Sequence, residues 1–277
     1  MTASPPDSEF RSTFTSALTS GLLPGAWLLL GLLAVVFLPL ISGGWHLAGD
    51  AGDTLLNNIF LEHFYRWITG HEPSYWSPRY FYPYPWTLAW SENHLGTAWI
   101  YAMGRLFGLS REAAHFGWYL VGFIANYLAA YWVGRRLRLG SLAVAAGAFF
   151  FAFGLPLTNQ EGHNQLIYRW CVPLAFYAIY SFAKHQKLRD FVSALVFLAI
   201  QIYTNLYIGA FLSLLLVLET LLLPFFVELA SSQTGWRQKL LWLPSALISS
   251  WHLAPPRRRL FLSLIAAASV LAVAALA

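Results

Sequence analysis

Two carboxylates, Asp50 and Asp53, stand three residues apart just past the end of the first apolar run. Acidic groups are costly inside hydrocarbon and cheap at its edge, so an acidic pair placed there points to a site. Residues 43–113 carry Asp50, Asp53, Glu62, Glu72, Glu92 and Glu112, half of the 12 acids, together with His46, His63, His71 and His94. A second polar segment, 158–165, adds Glu161, His163 and Gln165, and a third, 203–207, adds Asn205 and Tyr207. Carboxylates and imidazoles in one pocket offer two chemistries. A carboxylate can take the proton of an acceptor hydroxyl. Carboxylate oxygens and imidazole nitrogens can instead hold a divalent cation, Mg or Mn, against a phosphate leaving group.

These residues need elements to position them, and the composition says which. Of 277 residues, 58% are hydrophobic and 10% charged, against about 25% charged in ordinary soluble domains. The chain reads as an all-α integral membrane protein. Its net charge of +5 falls in short basic clusters between apolar runs, as topology determinants do, and is no nucleic-acid signal. A single cysteine, Cys171, excludes an internal disulfide. Residues 1–23 read as a polar cytoplasmic tail before an uncleaved anchor.

A bilayer core of about 30 Å takes about 20 apolar residues as helix. Residues 24–42 meet that, and the polar loop 43–113 follows. Within it, Thr54 to Thr69 reads as an amphipathic helix with Asp53 as its N-cap. Its apolar face is Leu55, Leu56, Ile59, Phe60 and Trp67, and its polar residues are Asn57, Asn58, Glu62 and Arg66. Residues 95–108 are apolar but short and include Arg105, which suits a surface helix with Ser91 as a candidate cap. Only if that segment does not span do Arg135, Arg136 and Arg138, and every later basic cluster, fall on the inner side. Further spans are then expected over 114–134, 140–157, 166–183, 191–206, 209–228 and 260–277. Residues 240–253 are interfacial. The expectation is a polytopic protein of about seven transmembrane helices, with residues 24–277 as one membrane domain truncated at its C-terminus. Its three polar segments share the outer face and can converge. No P-loop, dinucleotide fingerprint, HExxH or cysteine-based metal motif occurs.

One span followed by a long outer loop with Asp50 and Asp53 near its start, the run Phe81-Tyr82-Pro83-Tyr84-Pro85-Trp86-Thr87-Leu88-Ala89-Trp90-Ser91-Glu92-Asn93-His94-Leu95-Gly96, the pair His163-x-Gln165, Pro173-Leu174, and Gln201 with Tyr207-x-Gly209 carry a resemblance. Over about residues 25–228 the chain resembles the N-terminal module of bacterial GT-C superfamily glycosyltransferases, which use polyprenyl-phosphate-linked sugars. The resemblance implies an inner-membrane enzyme of the sugar-transferring class, with a cytoplasmic N-terminus and a site on the outer face. It implies that an aspartate of the first outer loop, Asp50 or Asp53, is the base or a metal-binding group, with His163 as a further metal ligand. Glu92, His94, His163, Gln165 and Arg169 would bind the donor. Family members continue through more spans and often a soluble domain, so a missing C-terminal part or partner subunit is implied, beside membrane lipid and the lipid-linked donor.

Ordinary alternatives stand beside each residue. Asp53 as a preferred cap, Glu92 and His94 as solvated residues, and Glu161 and His163 as turn residues need no site. Arg169 can snorkel to the interface or hold a phosphate. Tyr and Trp along 75–90 suit an interfacial belt. The rival functions are a transporter or lipid flippase, and an inactive fragment that packs against a partner. The first conflicts with polar residues gathered at one face, since transporter sites lie at the midplane.

Overall fold

Over the described residues the apolar runs fold as helices, and the segments between them include further helices, turns and short 3-10 pieces. The computed structural model describes residues 22–41, 52–154, 163–227, 239 and 241–274. Among the described residues there are ten α-helices and no strand. They are α1 (Leu22–Ile41), α2 (Asp53–Ile68), α3 (Ala98–Leu106), α4 (Arg111–Arg136), α5 (Ser141–Phe153), α6 (Cys171–His185), α7 (Leu188–Thr204), α8 (Leu206–Phe226), α9 (Trp242–Leu253) and α10 (Pro256–Ala274).

The expected apolar runs each contain a helix over their described residues. Two stretches, Asn164–His185 and Leu206–Phe226, are long and apolar enough to cross a membrane, and Leu22–Val36 and Ser141–Phe153 are shorter apolar helices. The surface-helix expectation at 95–108 narrows to the nine residues of α3, about 14 Å of helix. Residues 240–253 hold the 12-residue α9, also shorter than a bilayer core.

One core gathers α1 to α5 and the turn Asn164–Ile167 around Phe60, Leu61, Tyr101, Trp118, Phe123 and Tyr127. A second joins α6, α7 and α8 around Ala175, Ile179, Ala194 and Leu212. A third sets Trp242 and Ala246 of α9 against Phe182 of α6. Asn126 Nδ2 donates to the Ile167 carbonyl at 2.6 Å within the first core, and Gln201 Nε2 joins the second to it by donating to the Tyr168 carbonyl at 2.8 Å. Helices α7 and α8 approach so closely at their shared corner that a Cβ on Gly209 would lie 2.6 Å from Ile202 Cα. Only glycine permits that contact.

Two local expectations are corrected. The α2 N-cap position is Gly52, no side chain caps the helix, and Asp53 is its first residue. A first-turn carboxylate still complements the helix dipole. Likewise the residue before α3 is Thr97, without a side-chain cap, so Ser91 does not cap it. The burial of α2 is also largely the reverse of its expected amphipathicity. Leu55, Leu56, Ile59 and Trp67 are exposed, whereas Asn57, Asn58, Glu62 and His63 are buried with Phe60, Leu61 and Phe64.

Candidate functional site

Helix α2 presents Asp53, Thr54 and Asn57 to the consecutive residues His163, Asn164 and Gln165. The spacing of one and four places these three on one side of a helix. His163 Nδ1 lies 3.0 Å from Asp53 Oδ2, with the two side chains 55% and 50% exposed. Asn164 Nδ2 donates to Thr54 Oγ1 at 3.2 Å. Asn57 Nδ2 donates to Gln165 Oε1 at 2.7 Å, and Asn57 Oδ1 lies 2.8 Å from His94 Nε2. With Asn57 Oδ1 as acceptor, His94 carries its proton on Nε2. Burial pushes the His94 imidazole down to about 3, and His115 beside it adds in the same direction. His94 is thus a neutral relay through Asn57 to Gln165, and its Nδ1 is buried without a protein partner among the described residues.

The third polar segment joins through Glu92. Its Oε2 accepts the Leu206 N–H at 3.0 Å, at the start of α8, where Asn205 Oδ1 accepts from Ile208 N at 2.7 Å. Burial raises the Glu92 pKa, opposed by the N–H groups of Leu206 and Tyr207. An anionic side chain at a helix N-terminus is favourable. It also fills the place where a donor phosphate would bind that helix end. Close by, Gly96 N–H donates to the Tyr203 carbonyl at 2.8 Å. A Cβ on Gly96 would lie 2.3 Å from Thr204 Oγ1, which shows how tightly this loop sits on the α7–α8 corner.

The three expected segments therefore meet, but not as one cluster of acids. Asp53 and His163 form an exposed pair, His94 and Gln165 are linked through Asn57, and Glu92 caps α8. Arg169 is elsewhere: its N–H donates to Asn126 Oδ1 at 3.0 Å and its guanidinium lies 5.9 Å from the Phe151 ring. Asp50 and Glu161 lie outside the described residues.

Sequence reasoning did not single out Asn57, Thr54 and Asn164. The signal for Thr54 and Asn57 was present in the polar positions of α2 at one and four residues from Asp53. It also missed how far Glu62 is saturated. Glu62 Oε2 accepts from Tyr101 OH at 2.7 Å and Arg105 Nε at 2.9 Å, and its Oε1 lies 3.4 Å from Arg111 Nε.

Among the described residues no group of three His, Cys, Asp or Glu is placed to hold a metal ion. Asp53 and His163 supply two converging donors. That suits a cation that takes its remaining ligands from substrate phosphate and water. No family model matches the chain, and no curated protein and no solved structure matches it.

Proposed function

We propose that the chain is a GT-C type membrane glycosyltransferase module of about seven spans, set in a bacterial inner membrane with its N-terminus in the cytoplasm. It transfers a sugar from a polyprenyl-phosphate-linked donor to an acceptor hydroxyl on the outer face. The observation that carries this reading is the Asp53–His163 pair, exposed where the outer segments converge.

The pair has a defined chemistry. Asp53 accepts the Nδ1–H of His163, which orients the ring and leaves Nε2 as the proton acceptor, the arrangement general bases use. The acceptor oxygen attacks the anomeric carbon from the side opposite the phosphate. The new carbon–oxygen bond forms as the bond to phosphate breaks, the proton passes to Nε2, and the lipid phosphate leaves with the electron pair. Inversion at the anomeric carbon follows. In the alternative arrangement, with His163 a ligand and not the base, a divalent ion held by Asp53 and His163, with Asp50 as a further candidate ligand, would neutralise charge on the departing phosphate. Gln165, fixed through Asn57 and His94, supports the His163 loop from below.

The test is sugar transfer by membranes carrying the full chain, supplied with a panel of lipid-linked sugars. Asp53→Asn and His163→Gln should each lower transfer at least ~100-fold, the low end of a general base's contribution, with membrane insertion unchanged. Asp50→Asn decides which aspartate acts. Loss at Asp50 with wild-type turnover at Asp53 and His163 would move the base to Asp50. Wild-type turnover in all three variants would remove these residues from the reaction.

A further inference from the structure

A second polar centre lies far along the chain from the Asp53–His163 pair. The turn between α6 and α7, the end of α9 and the start of α10 enclose a cavity of about 220 Å³, lined by Lys187, Arg189, Ser250, Leu253, Arg258 and Leu262 among others. Three cations from two distant segments face it. The side chains of Lys187 and Arg258 make no hydrogen bond or ion pair among the described residues. Arg189 Nε lies 3.3 Å from Asp190 Oδ1, while Asp190 Oδ2 is taken by Ser181 OH at 2.7 Å. The cavity thus holds three cations against one carboxylate that is already bonded. Arg259 is not available to it, since its guanidinium donates to the Ala254 and His252 carbonyls at the end of α9.

The charge alone would suit any phosphate. The surroundings select among sources. Leu253, Leu260 and Phe261 are 79%, 65% and 62% exposed around the same helix ends. A soluble anion has no use for that apolar surface, whereas acyl chains do. Basic pockets between membrane helices on the cytoplasmic side are suited to anionic headgroups, and this is the side to which charge asymmetry assigns the cluster.

We propose that this cavity is a binding site for the phosphate of an anionic phospholipid, held by Lys187, Arg189 and Arg258 with its acyl chains against Leu253, Leu260 and Phe261. The site rests on the membrane reading above and not on the transfer chemistry. Its readout is lipid binding, so its failure leaves the transfer assay undecided and failure of that assay leaves the lipid site standing.

The experiment uses the full chain purified in detergent, with native mass spectrometry counting retained lipid after exchange into phosphatidylglycerol or phosphatidylcholine micelles. Selective retention of phosphatidylglycerol is expected. A surface cation contributes roughly a factor of five in affinity, so Arg189→Gln with Arg258→Gln should weaken retention about 25-fold. Arg257→Gln, on the same helix but not lining the cavity, should change it about 2-fold or less. Equal retention of both lipids overturns the proposal, as does an equal loss in Arg257→Gln. Displacement of the lipid by millimolar inorganic phosphate, with the same stabilisation of the protein, also overturns it and makes the site one for a soluble anion.

Discussion

Asp53 and Glu62 are carboxylates on the same helix, and their surroundings differ sharply. Glu62 is buried, with a tyrosine hydroxyl and two guanidiniums from α3 and α4 directed at its oxygens. A carboxylate offers about four lone-pair positions, and these donors leave Glu62 little capacity for anything else. Asp53 is half exposed and has His163 as its partner. The first carboxylate ties α2 to α3 and α4. The second keeps acceptor positions open to whatever reaches this surface. An acid's chemical availability here follows from how many protein donors have claimed it, and not from its place on the amphipathic pattern.

The largest effect that could break this contrast belongs to Glu62. Glu62→Ala strands Arg105 and the Tyr101 hydroxyl in a mostly buried setting and should cost about 3 kcal/mol or more, read as denaturant or thermal unfolding in detergent. An unchanged midpoint would make Glu62 as dispensable as a surface acid.

Next comes pH. The ordinary histidine value is 6.5 and that of buried His94 is about 3. Its contribution is present above 6.5 and is lost as pH falls towards 3, about 2 kcal/mol between pH 6.5 and 5. His94→Gln should reduce that slope. Glu92 acts in the opposite sense. Its folded value is raised above 4.5, so its contribution is present below 4.5 and lost as pH rises through the folded value. Glu92→Gln, which keeps an oxygen acceptor for Leu206, should remove this part and isolate the histidine slope. Flat wild-type stability from pH 6.5 to 5 would contradict the neutral relay.

Tyr101→Phe sharpens the contrast at smaller amplitude. It removes one hydrogen bond to a charged acceptor, about 1.5 kcal/mol, and leaves both arginines in place. Smallest is the stability effect of Asp53→Asn, below about 0.5 kcal/mol for a half-exposed pair. The loss of transfer expected of that variant would then be chemical. A melting shift as large as that of Glu62→Ala would collapse the distinction between the two carboxylates.

Much of the architecture was legible from the chain. Helices occupy the expected apolar runs because burial or lipid leaves backbone groups no better partners than each other. The meeting of Asp53 with His163 followed from placing their loops on one face. What could not be read was which way α2 turns. Its 3.6-residue pattern marks Leu55, Leu56, Ile59 and Trp67 as the face to bury, yet Asn57, Asn58 and Glu62 are buried instead. The partners that make this favourable are Arg105, Arg111, His94 and Gln165, up to 108 residues away. Periodicity within α2 carries no trace of them. The solvated alternative for Glu92 failed for the same reason, since its partner is the free end of a helix more than 100 residues later.

The grip of Glu92 and Gly96 on the α7–α8 corner has a mechanical consequence. Residues 92–96 are fastened to the top of α8, and His94 lies between the two fastening points. Helix α8 is largely exposed along its apolar length and is long and apolar enough to cross a membrane; in a bilayer its inclination would answer to the thickness of the hydrocarbon. Tilting α8 would pull on Glu92 and shift His94 against Asn57, and through Asn57 would move the Gln165 end of the His163 loop. In a bilayer this loop would work as the short arm of a lever whose long arm is α8. Lipid chain length would then bear on the spacing between Asp53 and His163.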